Sequence, residues 1–136
     1  MLQVVAAIIE RDGMILVGRR RPEQSHPLKW EFPGGKVEAG ETPAQAVVRE
    51  LKEELAIRVD GCSEITRYRY AYPGKAAIEL IFLRVESFRD EPQNLIFHEM
   101  RWEPLPALAE LDFLEGDRDF LRGIYTGTDG NSNQES

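Results

Sequence analysis

The sequence predicts a mixed α/β domain in which a mixed β-sheet is covered by helices. The order of the elements is the first reason: runs of β-branched residues and one strong helical period give β-β-β-loop-α-β-β-β-α. Length is the second reason, since 136 residues suit one domain with a core of its own. Neither an internal repeat nor a second domain is visible along the chain.

The first part of the chain predicts strands and a loop. Residues 4–10 are mainly apolar and β-branched, Asp12-Gly13 predicts a hairpin turn, and residues 14–18 form the returning strand. Residues 21–27 are polar and contain prolines, which indicates a loop. Residues 30–32 predict a short extended segment that ends at Pro33, because a proline ring disfavours helix at the preceding residue.

One helix is predicted from Pro43 to near Ala56. Thr42 can cap it, with Pro43 at the first helical position and Gln45 completing a capping box. At about 100° per residue the apolar side chains share one sector, which we expect to pack on the core: Ala44, Val47, Val48, Leu51 and Leu55. Another face carries Glu50, Glu53 and Glu54, because spacings of three and four residues bring side chains together.

The second half of the chain predicts further strands and two short helices. Val59 has β-propensity, and Asp60-Gly61 predicts a turn after it. Residues 66–72 and 77–85 predict strands joined by a turn at Pro73-Gly74, followed by a loop at 89–93 and a strand at 97–102. Residues 105–111 and 117–125 predict helices, the second with Phe120, Leu121 and Ile124 facing inward. Residues 126–136 lack apolar anchors, so we expect a domain over 1–125 and a flexible tail over 126–136.

Composition limits the classes of function. The net charge of −7 argues against a surface for a nucleic-acid polymer, which would need a basic face. The longest apolar run, residues 4–9, is too short to span a bilayer. The single cysteine, Cys62, excludes an internal disulfide and agrees with a reducing compartment. We therefore expect a cytoplasmic protein, a monomer or homodimer that does not contact membranes.

The acidic face of the predicted helix has two interpretations. Such a run is usually a solvated surface, although like charges at these spacings cost a few tenths of a kcal/mol per pair, that is roughly 0.2–0.5. A divalent-cation site is the other interpretation. The neighbouring residues favour the cation site, because Gly34-Gly35 permits close approach of the backbone and Arg49 flanks the cluster. Carboxylates and backbone carbonyls are the oxygen ligands that Mg²⁺ prefers.

Residues 35–57 resemble the Nudix box, which is Gly, five residues, Glu, seven residues, then Arg-Glu-aliphatic-any-Glu-Glu-any-Gly-aliphatic. The fixed places are held here by Gly35, Glu41, Arg49, Glu50, Leu51, Glu53, Glu54 and Ile57, and only Ala56 departs from the pattern, standing for Gly. The segments 30–36 and 41–43 are similar to the MutT branch of the family. The resemblance extends over residues 2–125 and implies the Nudix α/β/α sandwich.

The same resemblance implies a reaction. Nudix enzymes hydrolyse a nucleoside diphosphate linked to another group with the help of Mg²⁺, for which Mn²⁺ is an alternative. MutT relatives cut a nucleoside triphosphate to monophosphate and pyrophosphate. The base here would be a pyrimidine or an oxidised purine of the 8-oxo-dGTP kind. Two alternatives are hydrolysis of ADP-ribose or a dinucleotide, and a Nudix module that binds a nucleotide without cutting it.

Roles in catalysis follow from position in the box. The resemblance implies that Glu50, Glu53 and Glu54 bind metal with the Gly34 carbonyl, and that either Glu50 or Glu53 activates water. Arg49 would hold the glutamates in place. Gly35 and Glu41 would support this arrangement.

A further carboxylate often follows the box in MutT-type enzymes. Its usual place, six residues before Trp102, is Ile96 here. Glu99 is the nearest substitute as a metal ligand. The other interpretation of Glu99 is an exposed strand carboxylate.

Candidate substrate contacts lie mostly outside the box. The resemblance assigns Arg20 to the substrate, Phe32 to the base pocket and Asp117 to the edge of the base. Asp117 is also a natural N-cap for the last helix, and both roles are compatible. Tyr70 or Tyr72 could stack on a base or simply pack on the sheet. The remaining candidates precede or begin the box: Glu31, Pro33, Gly34 and Lys36.

Overall fold

The computed structural model describes the backbone of residues 1–130 and the side chains of residues 1–123. The predicted class, a mixed α/β domain, is confirmed. In chain order the elements are β1 (Gln3–Ile8), β2 (Glu10–Arg11), β3 (Met14–Arg19), β4 (Trp30–Glu31), β5 (Gly34–Lys36), α1 (Pro43–Leu55), β6 (Arg58–Tyr70), β7 (Ile78–Arg89), β8 (Glu99–Pro104), α2 (Leu105–Leu108) and α3 (Glu115–Gly130).

The strands form two sheets, and the first of them is the predicted mixed sheet between helices. The first has the order β5-β1-β7-β6 and is mixed, since β1 and β7 run parallel while β5 and β6 pair antiparallel at the two edges. In the second sheet β3 pairs antiparallel with β2, β4 and β8. Only Ile9 separates β1 from β2, so the chain passes directly from one sheet to the other.

Helices lie on both faces of the first sheet. Val5 and Ala7 of β1 belong to one buried cluster together with Leu51 of α1. Ala6, the residue between them, belongs to a second cluster together with Phe120 of α3. Since successive strand residues point to opposite faces, this arrangement is the helix–sheet–helix sandwich that the resemblance implies.

The hairpin predicted at Asp12-Gly13 is confirmed. The two residues have φ values of 55° and 78°, and Arg11 pairs with Met14 across the turn. Two consecutive positive φ angles are characteristic of a type I′ turn, which suits the twist of the flanking strands.

The turn predicted at Asp60-Gly61 is wrong, because β6 begins at Arg58 and continues through it. The register of β6 against β7 shifts between Val59 and Gly61, and again between Glu64 and Thr66. Such shifts accommodate extra residues as β-bulges without ending the strand. The glycine therefore marks an irregularity within one long hairpin.

The buried face of α1 is rotated relative to the predicted one. Val48 is 41% exposed, whereas Glu54 is only 8% exposed. The buried sector includes the side towards Glu54 because that side lies against β5, where the Gly34 amide contacts Glu54. The buried residues of the helix are Ala46, Val47, Leu51, Glu54 and Leu55.

Helix α3 extends past the boundary predicted at Tyr125 and reaches Gly130. Its predicted core residues Phe120 and Leu121 are buried, while the side chain of Ile124 is outside the described part. Adding residues to an existing helix is easier than starting one, which accounts for the extra turn. The rest of the predicted tail, residues 131–136, lies outside the described residues. Within residues 1–130, no helix is both long and apolar enough to cross a membrane.

Candidate active site

A cavity of about 350 Å³ lies between the first sheet, the last turns of α1 and the start of α3. Strands β1 and β7 contribute an apolar wall that includes Val4, Ile78 and Leu80. Two groups of charged side chains also line the cavity. One consists of Glu50 and Glu54, and the other consists of Arg20, Glu31 and Asp117. An apolar cleft with a few convergent polar groups is typical of a small-molecule site.

Local signals position the helix that carries the glutamates. The hydroxyl of Thr42 accepts a hydrogen bond from the Gln45 amide at 3.1 Å, and the Gln45 side chain accepts one from the Thr42 amide at 2.9 Å. The predicted capping box is therefore confirmed. Because the start of the helix is fixed, the rotation that brings Glu54 to the cavity is fixed as well.

Glu50 and Glu54 approach one another at the start of β5. The Gly34 amide donates to Oε1 of Glu54 at 3.3 Å, and the carboxylate of Glu50 lies over Gly35. Burial, followed by the nearby charge of Glu50, raises the pKa of Glu54 to about 9. Glu50 and Glu54 therefore form a closely spaced pair of carboxyl groups at this end of the cavity.

Arg49 anchors this group from the other side. Its Nε donates to Glu41 at 2.6 Å, its Nη2 donates to Glu41 at 3.1 Å and to the carbonyl of Lys36 at 2.9 Å, and its Nη1 donates to Glu50 at 3.1 Å. The paired bonds from Arg49 hold the pKa of Glu41 below its usual value. One guanidinium therefore joins the loop before α1, strand β5 and a cavity carboxylate.

Glu53 is not brought into the same group. Its side chain is 60% exposed and approaches Nη1 of Arg49 at 3.5 Å. Among the described residues, no three His, Cys, Asp or Glu side chains lie close enough together to hold a metal ion. The predicted set of three glutamates is thus divided into two that line the cavity and one exposed member.

The two cavity glutamates nevertheless suit a hard divalent cation. Glu50 and Glu54 offer carboxylate oxygens, and the raised pKa of Glu54 reflects a burial that a positive charge would offset. The backbone of Gly34 is adjacent and can add a carbonyl oxygen. Glu53 lies one helical turn from Glu50 on α1.

The second charged group centres on Glu31. Nη1 of Arg20 donates to Glu31 at 3.0 Å, while Nε of Arg20 donates to the carbonyl of Ser25 at 2.7 Å. Burial raises the pKa of Glu31, and Arg20 opposes this shift. Glu31 is close enough to raise the pKa of both Glu54 and Asp117. It therefore connects the two charged groups within the cavity.

Asp117 faces the cavity from the first turn of α3. It is 5% exposed, and its Oδ2 accepts a hydrogen bond from the Phe32 amide at 3.5 Å. Burial raises the pKa of Asp117 to about 8, and the nearby charge of Glu31 is the second largest cause of this shift. The prediction of an N-cap is wrong: α3 begins at Glu115, which places Asp117 inside the helix, and its side chain bonds to Phe32.

The other residues predicted to contact substrate lie close by. Phe32 lines the cavity, and its ring packs among Phe82, Phe113 and Phe120 at centroid distances of 6.4, 5.1 and 5.8 Å. Gly34, Gly35 and Lys36 also line the cavity. Pro33 is buried outside the lining, and its carbonyl accepts a hydrogen bond from the Ala7 amide at 2.8 Å.

Comparison with known proteins decides the family. The sequence matches the NUDIX domain over residues 1–124. The chain belongs to the Nudix family. It is 39% identical to an 8-oxo-dGTP diphosphatase of Escherichia coli over 113 residues, which are 82% of this chain and 87% of the relative. A CTP pyrophosphohydrolase of the same species is 58% identical over 57 residues, or 42% of each chain.

A solved structure extends the similarity to the whole fold. The solution structure of the Escherichia coli ORF135 protein superposes with a TM-score of 0.85 at 31% identity, covering all of this chain and 95% of that one. The Nudix membership predicted from the box is thus confirmed, and the protein is a Nudix pyrophosphohydrolase.

Glu99 lies outside the cavity lining of this Nudix hydrolase. It is located on β8 in the second sheet, where it pairs with Nε of Arg101 at 2.8 Å and approaches Nη1 of Arg19 at 3.8 Å. The structure therefore does not bring Glu99 together with Glu50 and Glu54. Ile96, the place where the resemblance implies a carboxylate, does line the cavity and makes that part of its wall apolar.

Several lining residues were not predicted as site residues. Gln24 comes from the loop after β3, Phe97 from the segment before β8, and Leu114 from the segment before α3. Tyr72 also lines the cavity, a position from which it could stack on a base. The centroid of the His26 ring lies 4.5 Å from that of the Tyr72 ring. Gln24, Phe97 and Leu114 carry no local sequence signal of a binding site, because only the packing of distant segments brings them together.

Proposed function

We propose that this Nudix hydrolase cleaves a nucleoside or deoxynucleoside triphosphate to a monophosphate and pyrophosphate with Mg²⁺. The main support for this proposal is that the same cavity is lined by Glu50 and Glu54 and, on another side, by the charged group around Glu31. A nucleotide needs both: carboxylates that hold a cation against its phosphates, and donors and acceptors beside its base. The relatives are named for 8-oxo-dGTP and CTP, which are both nucleoside triphosphates.

The proposed metal site uses residues of α1 and β5. Glu50 and Glu54, together with the Gly34 carbonyl, would hold the ion, and Glu53 would join them by turning inward from solvent. When bound, Mg²⁺ neutralises charge that develops on the phosphate oxygens and lowers the pKa of water. Nudix hydrolases generally use a divalent metal, and Mn²⁺ is the expected substitute here.

The protein residues then position the reacting groups. Arg49, fixed by Glu41 and the Lys36 carbonyl, keeps the carboxylate of Glu50 in one place. Water attacks a phosphorus atom, the bond to the bridging oxygen breaks, and the proton of the water passes to Glu50 or Glu53. Glu50→Gln and Glu53→Gln separate these two assignments: the variant without the base should lose the acid limb of its pH–rate profile.

The nucleoside occupies the part of the cavity near Arg20, Glu31, Phe32 and Asp117. At neutral pH, a pKa of about 8 keeps Asp117 largely protonated in the free protein, so that its carboxyl group can both donate and accept a hydrogen bond. This property suits the edge of a base, which presents donors beside acceptors. Tyr72 adds an aromatic surface to the same region.

We further propose that the enzyme acts in the cytoplasm as a monomer or homodimer. Cys62 is a free, half-buried thiol, and burial raises its pKa, so a reducing compartment suits it. Nucleoside triphosphates are small cytoplasmic metabolites, and an enzyme that removes damaged ones would serve sanitation of the nucleotide pool. Sedimentation analysis would distinguish the monomer from the dimer.

A pyrophosphate-release assay tests the proposal. The purified chain would be assayed with Mg²⁺ against the four ordinary nucleoside triphosphates, their deoxy forms and 8-oxo-dGTP, with ADP-ribose and a dinucleotide polyphosphate as alternatives. The proposal predicts monophosphate and pyrophosphate from at least one triphosphate. Preferential cleavage of ADP-ribose or the dinucleotide would replace it with the other hydrolase class. Tight nucleotide binding without turnover would indicate a sensing module.

A further inference from the structure

Residues 93–97, called the 93–97 turn below, connect β7 to β8 beside the cavity. Asn94 organises this turn with three hydrogen bonds. Its Oδ1 accepts from the amides of Ile96 at 3.3 Å and Phe97 at 2.8 Å, and its Nδ2 donates to the Phe97 carbonyl at 3.0 Å. A single exposed side chain therefore fixes the course of the backbone from residue 94 to residue 97.

The same turn holds the end of the glutamate helix. The amide of Gln93 donates to the carbonyl of Leu55 at 2.8 Å, and the amide of Leu95 donates to the carbonyl of Glu54 at 3.1 Å. Carbonyls in the last turn of a helix lack partners within it and need them from elsewhere. Because one of the two belongs to Glu54, the turn fixes the backbone from which a cavity carboxylate extends.

The turn also forms part of the cavity wall. Ile96 and Phe97 line the cavity, and the Phe97 ring packs so closely on Gly18 of β3 that no Cβ would fit there. Nε of Arg21 donates to the Ile96 carbonyl at 2.6 Å, which joins the turn to the loop that carries Gln24. The turn therefore contacts both the carboxylate helix and the nucleoside side of the cavity.

We propose that Asn94 is a positioning residue that, through the 93–97 turn, holds Glu54 in the place required for divalent-ion binding and holds the cavity wall against it. This inference rests on the proposed function of the same site. Small displacements of groups that support a reacting centre lower turnover strongly, and partners that orient metal-binding groups also influence metal affinity. A turn that served only to connect two strands would affect neither.

Three single variants test the role. Asn94→Ala removes all three bonds of the turn, and Asn94→Asp keeps an acceptor for the amides of Ile96 and Phe97 but loses the donor. Gln93→Ala is the matched control, because it truncates an exposed neighbour whose backbone bond to Leu55 is retained. Affinity for Mn²⁺ would be measured without substrate by electron paramagnetic resonance, and kcat, KM and Tm would be measured alongside.

Asn94→Ala should weaken Mn²⁺ binding about tenfold and lower kcat by a similar factor. Asn94→Asp should recover most of both, and Gln93→Ala should match the wild type. A lower Tm for Asn94→Ala with unchanged Mn²⁺ affinity and kcat would overturn the proposal. Equal losses in the Ala and Asp variants would support the role of Asn94 and assign it to the bond from Nδ2 to the Phe97 carbonyl.

Arg21→Ala provides a second route should Asn94→Ala fail to fold. It removes the bond to the Ile96 carbonyl and leaves the Asn94 bonds in place. It should weaken Mn²⁺ binding in the same direction as Asn94→Ala, since the bond from Arg21 also holds the 93–97 turn. Wild-type affinity in Arg21→Ala would contradict the role of the turn.

Failure of this inference can be distinguished from failure of the proposed function. If the wild-type protein neither binds Mn²⁺ nor releases pyrophosphate, the proposed function fails first. If the wild type does both and the turn variants equal it, only the role of Asn94 is refuted.

Discussion

Gly35 lies directly beneath the carboxylate of Glu50, so closely that a Cβ at this position would collide with the carboxylate oxygens. The preceding glycine has a different neighbour: a Cβ at Gly34 would collide with the backbone carbonyl of Val5 in the adjacent strand. The two positions therefore require glycine for different reasons. One leaves room for a side chain of the proposed metal site, and the other lets β5 pair with β1.

The two glycines should consequently respond differently to substitution by alanine. Gly34→Ala should lower the free energy of unfolding by about 2–4 kcal/mol, because a backbone carbonyl cannot move aside. Gly35→Ala should leave the fold largely intact but lower kcat about tenfold or more, since the flexible Glu50 side chain must shift. Urea unfolding and pyrophosphate release measure the two effects. Gly123→Ala, at an open position in α3, is the control: it should raise the free energy of unfolding by about 0.5–1 kcal/mol, because alanine favours the helix, and should leave kcat unchanged. Equal behaviour of Gly34→Ala and Gly35→Ala would contradict the assignment.

Ala56 is the one residue that departs from the Nudix box, and its backbone explains why glycine is suited to the place. It is the C-cap of α1 with φ 57° and ψ 34°, a left-handed conformation. Ala56→Gly should raise the free energy of unfolding by about 0.5–1 kcal/mol, because relief of the left-handed penalty exceeds the entropy cost of glycine. The control is Ala109→Gly, at a C-cap with φ −65°, which should not stabilise the protein. A loss of stability in Ala56→Gly would refute the argument.

The pKa of Asp117, raised to about 8 mainly by burial, predicts a pH dependence of stability. Between its ordinary value and this raised pKa the folded state binds more protons than the unfolded state, so stability falls as the pH rises. In metal-free protein, Asp117→Asn should therefore reduce the loss of unfolding free energy between pH 5 and pH 8. Asp112→Asn should not, because Lys29 lowers the pKa of Asp112 and its contribution changes only at more acidic pH.

The same Asp117→Asn variant also tests base recognition. An amide stays neutral and has a fixed donor and a fixed acceptor, whereas a carboxyl group can carry its proton on either oxygen, so the preference among nucleotides should change. The measurement is kcat/KM across the triphosphate panel. An altered slope of stability with pH but an unchanged nucleotide preference would leave Asp117 with a role in packing alone.

Sequence reasoning worked best where the signals are local. Thr42, Pro43 and Gln45 define the start of α1 within four consecutive residues, and the hairpin at Asp12-Gly13 depends on two. It failed where packing decides the result. Val48 fits the apolar period of α1 but is exposed, because the burial of Glu54 against β5 rotates the helix.

Non-local pairing set the other limits. Asp60-Gly61 has the composition of a turn, yet β7 continues past it and holds both residues in a bulged strand. The box predicted that Glu50 and Glu54 are adjacent, but not that Glu53 faces solvent. Nothing in the local sequence around Asn94 shows that its turn contacts both α1 and the cavity, since residues 54, 18 and 21 come from separate segments.

Glu54→Gln tests most directly whether Glu54 is part of a metal site for hydrolysis of a nucleoside triphosphate. With a pKa of about 9, Glu54 is protonated in the metal-free protein at neutral pH, so glutamine should preserve the fold. It cannot supply the negative charge that a divalent cation requires. The control is Glu110→Gln, the same change at an exposed residue outside the cavity. Pyrophosphate release with Mg²⁺ at saturating nucleoside triphosphate should fall at least about a hundredfold in Glu54→Gln with unchanged Tm, whereas near-wild-type release would contradict the account.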